Sequence, residues 1–183
     1  MKSFPSEPHN IPIPIPIPIP IPIPIPIPIQ ITISDIIPLD GEASSAASIR
    51  LKVTLRNTSD KSVSFLRWST PFDQRAAPMG IFKFKSVSTG KLAPCLDLKL
   101  GRKIPREGVF ADDDIVSIEA RGEESKTVEI KAPEVVLTRG EKYVVHAEGF
   151  WMHVFVGERE EARKTDANVL RADFESDGVE VEV

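Results

Sequence analysis

Apolar and polar residues take turns along most of the chain from Ile29 onward, the two-residue period of a half-buried strand. In Ser48–Asn57, Ile49, Leu51, Val53 and Leu55 fall on one face, and Arg50, Lys52, Thr54 and Arg56 on the other. The rhythm returns in Ile81–Val87, with Phe82 and Phe84 inward, and in Cys95–Ile104, through Leu96, Leu98 and Leu100. Val63–Trp68 loses phase between Phe65 and Leu66, which predicts a bulge. Two short strands flank Arg121–Glu124, and the runs Val169–Ser176 and Val179–Val183 meet at Asp177-Gly178. Only Glu158–Val169 has a helical pattern, and it is short. Many short strands separated by turn residues predict an all-β antiparallel sandwich of about seven to nine strands.

Lys142–Val156 is the most informative run. Gly149-Phe150 fits the two central residues of a hairpin turn, with glycine first. That register puts Tyr143, Val145, Ala147, Met152, Val154 and Val156 on a core face. Val144, His146, Trp151, His153 and Phe155 then share the other face and form the candidate partner-binding patch. His146 and His153 would stand directly opposite each other, with Cβ atoms roughly 5 Å apart. Such a pair is either a solvated, sheet-stacked couple or part of a metal site, and no third ligand is evident nearby. Tyr143 follows a glycine turn at a strand start, the placement of the tyrosine corner in immunoglobulin-like sandwiches.

Ahead of these strands, ten isoleucines alternate with nine prolines from Ile11 to Ile29. Hydropathy alone would make this a membrane span. Proline removes every second N–H, however, so no helical ladder can close, and open carbonyls in hydrocarbon cost several kcal/mol each. Residues before proline also leave the α region. The stretch is therefore extended or polyproline II, and spans no membrane as a helix. A tolerated coding repeat, a semi-rigid spacer and a proline-motif ligand all remain open. Residues 1–30 are assigned to this arm and 31–183 to a single domain, into whose first strand the last repeat units lead.

The 183 residues carry a net charge of −4. With no Lys/Arg stripe, this argues against an electrostatic grip on nucleic acid or anionic lipid. Cys95 is the one cysteine, so no intramolecular disulfide is possible. Met1–Asn10 lacks the apolar run of a secretory signal. Together these features lead to the expectation of a cytoplasmic protein. Asn57-Thr58-Ser59 matches a glycosylation sequon, but its residue types also suit a turn.

No catalytic constellation stands out. An HExxH helix, a phosphate-binding glycine loop and a GxSxG elbow are all missing from the sequence. Cys95 reads as a structural thiol among leucines, Asp112–Asp114 as a solvated acidic loop, and Trp68 as a core or sheet-edge aromatic. No cofactor is implied.

The stretch LKVTLRNTSDKSVSFLRWSTPFD, from Leu51 to Asp73, resembles the amino-terminal β-domain of fungal deuterolysin-like metalloendopeptidases, including the peptidyl-lysine type. IVSIEARGEESKTVEIKAPEVVLTRGEKYVVHAEG, from Ile115 to Gly149, is similar to that domain's closing part. Bacterial intracellular proteinase inhibitors share a similar N-T-S hairpin and G-x-Y ending. The resemblance spans roughly Ile31 to Phe155. Those peptidases add a zinc-binding HExxH domain, disulfides and a secretion signal, for which this chain has no matching positions. What the resemblance implies is a stand-alone relative of a non-catalytic domain. Such a relative would be a protein-interaction module that inhibits or binds another protein, with a peptidase as the candidate partner. A small-ligand or metal-binding sandwich using His146 and His153 is the alternative.

Overall fold

The computed structural model describes residues 26–39, 46–106 and 108–183. The repeat before Pro26 lies outside them, and so does the expectation for most of the Ile-Pro arm. Among the described residues there are ten strands and almost no helix, in two antiparallel sheets. This is the predicted sandwich, with more strands than expected. No helix among the described residues is long and apolar enough to cross a membrane.

One sheet contains β1 (Ile29–Leu39), β2 (Ala46–Asn57) and β6 (Glu123–Ile130) in that order, with the two-residue β7 (Leu137–Thr138) also on β2. β2 keeps its alternation without a break, and Ile49, Leu51, Val53 and Leu55 are fully buried. The strand predicted after the repeat begins at Ile29, and Ile27 and Ile29 already pack against the core. β1 slips register against β2 between Ser34 and Ile37, where Asp35 takes a positive φ of 47°.

The second sheet is built on β8 (Lys142–Val156). β3 (Val63–Leu66) pairs with its end and with β5 (Ile115–Ile118), and β4 (Phe82–Ser86) pairs with its first half. β9 (Leu170–Glu175) and β10 (Val179–Glu182) run antiparallel along β8, from Leu170 opposite Val154 to Glu182 opposite Lys142. The core lies between the two sheets, with Phe65, Phe82, Phe84 and Trp151 from the second sheet facing the aliphatic residues of β2. The Tyr143 hydroxyl accepts the Thr138 N–H at 3.1 Å, which closes the expected tyrosine corner.

Three local expectations fail for identifiable reasons. First, β8 is one strand of 15 residues, with no hairpin inside it. Gly149 has no positive φ and sits extended opposite Phe174, whose ring fills the space a side chain would need: a Cβ there would lie 2.6 Å from Phe174 Cζ. The phase change that suggested a turn is a bulge instead. Between the pairs Trp151–Ala172 and Val154–Leu170, β8 advances one residue more than β9.

Second, β3 has no bulge; its register with β5 and β8 is continuous. Phe65 and Leu66 are both buried because both faces of the strand are covered. Third, Cys95–Ile104 is not a strand. Asp97 turns to a φ of 51° and the Leu98 N–H bonds to the Pro78 carbonyl, leaving Leu96, Leu98 and Leu100 exposed.

Candidate functional site

Outside the six-stranded sheet a second, smaller apolar cluster forms from Leu66, Trp68, Phe110, Ile115 and Ala162, with Phe155 packed against it. Sequence dictates each placement. Leu66 is the outward residue of a strand whose neighbour Phe65 faces in. The bulge turns both Met152 and His153 away from the inter-sheet core, while Trp151 and Val154 stay within it. α1 (Arg159–Ala162) brings Ala162 over the sheet, and the chain at Val109-Phe110 pairs with it through Val109–Lys164 and a Phe110 N–H to Arg163 carbonyl bond of 2.8 Å. The acidic run Asp112–Asp114 is a single 3-10 turn beside it, solvated at Asp112 and Asp113 as expected.

Polar contacts fix the orientation of the aromatic rings. Trp68 Nε1 donates to Asp114 Oδ1 at 2.8 Å, and Phe110 meets Trp68 edge-on at 5.6 Å between centroids. Arg102 lies over the Trp68 ring at 5.6 Å. Its guanidinium is held by the buried Asp73 carboxylate at 2.7 Å, which also accepts the Ser69 and Arg75 N–H groups. His153 is 3% exposed and stacks edge-on to Phe110 at 5.0 Å. Its Nε2 donates to the Ala162 carbonyl at 2.7 Å, so Nε2 carries the proton and Nδ1 is an acceptor. Burial pushes the imidazole below the ordinary value of 6.5; the Ala162 bond opposes this and the nearby Arg171 charge adds to it.

Between these groups is a cavity of about 450 Å3. Leu66, Trp68, Phe110, Phe150, Met152 and His153 form most of its walls. Ile104, Phe150 and Met152 are exposed at its edge, with Ile104 at 64%. Ser69, Thr165 and Arg171 complete the lining.

The predicted patch is dispersed. Trp151 is 2% exposed and belongs to the inter-sheet core, against Phe65 at 5.1 Å and Phe174 at 4.9 Å. Met152, expected inside, is outside. Val144 is half-buried between Lys85 and Glu180, and His146 lies 3.3 Å from Glu148. Phe155 supports the outer cluster, and of the five patch residues His153 alone lines the cavity. His146 and His153 are not opposite each other. Seven residues apart on one extended strand, they are separated by roughly 20 Å. Among the described residues no group of three or more His, Cys, Asp or Glu could hold a metal.

Sequence reasoning missed Trp68, Phe110, Phe150, Met152, Leu66 and Ile104 as a site. The available signal was the adjacent apolar residues Phe65-Leu66 and Trp151-Met152, which place apolar side chains on both faces of a strand.

A family model for the immunoglobulin-like domain matches residues 39–183. The chain belongs to the immunoglobulin-like domain family. The matched stretch covers β2 to β10 and both aromatic clusters. The strand and turn patterns that resemble the peptidase β-domain are thus those of an immunoglobulin-like sandwich. The chain is also similar to an uncharacterized secreted protein of Arthroderma benhamiae, with 28% identity over 142 residues, 74% of this chain and 68% of that one. That relative is described as secreted, which overturns the cytoplasmic expectation drawn from the amino-terminal residues and the lone cysteine.

Proposed function

We propose that this immunoglobulin-like domain is a non-catalytic binding module that receives an apolar small molecule in the cavity outside its six-stranded sheet. One observation carries the reading: the cavity of about 450 Å3 has aromatic and aliphatic walls held by polar bonds outside the ligand space. Its volume falls within the ~300–1,000 Å3 of small-molecule sites. Rings fixed in advance lose little freedom when a ligand enters. His153 is engaged with a backbone carbonyl and makes no hydrogen bond to Ser69 or Thr165, so no nucleophile and base are paired there.

The likeness to a peptidase accessory domain supports a second reading, in which the apolar side chain of a protein partner, such as a peptidase, enters the same cavity. The histidine-pair metal site is withdrawn on the separation given above.

Titration with the neutral, polarity-sensitive dye Nile red tests the proposal. One dye per chain should bind with a blue-shifted emission. Phe150→Ala and Ile104→Ala, both at exposed positions, should leave stability within about 0.5 kcal/mol yet weaken uptake, and Met152→Trp should block it by filling the space. Uptake that does not saturate, or that ignores all three substitutions, would remove the cavity as the site.

A further inference from the structure

Resting on that reading, we infer that the ligand is a hydrophobic carboxylate, with its apolar body among Trp68, Phe110, Phe150 and Met152 and its head group on Arg171. The charge distribution around the cavity carries this. The chain is acidic, with 27 Asp and Glu against 23 Lys and Arg, yet no carboxylate lines the cavity. Two of the cations nearby, Arg102 and Arg163, are already matched. Arg102 is bound to Asp73 at 2.7 Å, and Arg163 lies within 3.9 Å of Asp112 and 3.6 Å of Glu160.

Arg171 differs from both. It is exposed, lines the cavity and makes no ion pair among the described residues. It stands on β9 between Leu170 and Ala172, directly across from the bulge that turns Met152 and His153 outward. The bulge and the free guanidinium therefore face one space.

A guanidinium fork matches the two oxygens of a carboxylate, and the Thr165 hydroxyl in the same wall offers a further donor. A cationic ligand would meet Arg171 as a like charge. A neutral one would partly desolvate the guanidinium without giving it a partner. The neutral imidazole of His153 keeps the rest of the wall uncharged.

Isothermal titration with decanoate, decan-1-ol and decylammonium at one ionic strength tests the assignment. Decanoate should bind about tenfold more tightly than decan-1-ol, the gain of one hydrogen-bonded charge pair. Decylammonium should bind most weakly, and added salt should weaken decanoate alone. Arg171→Gln, at an exposed position, should erase the preference for decanoate and leave decan-1-ol unchanged. Equal affinity for the three chains, or a preference that survives Arg171→Gln, overturns the carboxylate while the apolar site stands. Binding of Nile red without decanoate does the same. Failure of Nile red and all three chains to bind overturns the site itself.

Discussion

Two aromatic clusters lie one on each side of the six-stranded sheet. The inner one, Phe65, Phe72, Trp151 and Phe174, is closed between the sheets by aliphatic side chains from β2. The outer one, Trp68, Phe110 and His153, borders open space, and its members are tethered by Asp114 and the Ala162 carbonyl. Inside, packing density alone defines each ring's position. Outside, nothing presses from one side, and hydrogen bonds take over that task. The two clusters teach that one bulge, between Trp151 and Val154, decides which aromatic residue supports the fold and which shapes a cavity.

The largest effect should come from emptying the inner cluster. Trp151→Ala should cost about 3–5 kcal/mol in chemical denaturation. Phe110→Ala, beside space that is already open, should cost distinctly less. Equal losses would abolish the distinction between a structural and a ligand-bearing cluster.

Next in size is the strand that joins them. Gly149→Val forces a side chain into the Phe174 ring and should destabilise by about 1–3 kcal/mol. In a Phe174→Ala background the same substitution should cost less, because the obstacle is the ring. A neutral Gly149→Val would mean that Gly149 does not lie under Phe174.

The smallest effect sharpens the contrast by titration. His153 is held below its ordinary value of 6.5, so the unfolded chain takes up the proton first as pH falls. Its contribution is therefore full above about 6.5 and lost on acidification below it. Melting temperature should decline between pH 7 and 5, and His153→Gln should flatten that part of the decline. An unchanged slope in the variant would show that the outer cluster does not sense protons.

The sandwich was readable because β2 and β4 alternate cleanly, and a two-residue period leaves little choice of fold. Tyr143 was readable too, since the glycine turn before it fixes where its hydroxyl can reach. The site was not. WMHVFV changes phase once, and a turn or a bulge produces the same pattern along the chain. The two differ in what pairs with Gly149, and that partner, Phe174, lies far along the sequence. Choosing the turn sent Trp151 outward and Met152 inward, the reverse of their places. Phe110 lies between the strands that alternation predicts, Ile104 ends a run read as a strand, and nothing local announces that both line a cavity beside β8. Leu96, Leu98 and Leu100 show the converse: perfect alternation without a partner strand makes no sheet.

Asn57 carries a consequence beyond the fold. Its side-chain nitrogen donates to the carbonyls of Lys61, Ile118 and Glu119 at 2.7, 3.1 and 2.9 Å, and the residue is fully buried. A sugar attached there would displace a hydrogen from that nitrogen and wedge bulk into the corner where β2, β3 and β5 meet. Glycan and native corner thus exclude each other: a chain modified at Asn57 could not close this end of the sandwich, and one that has closed it hides the acceptor from any transferase.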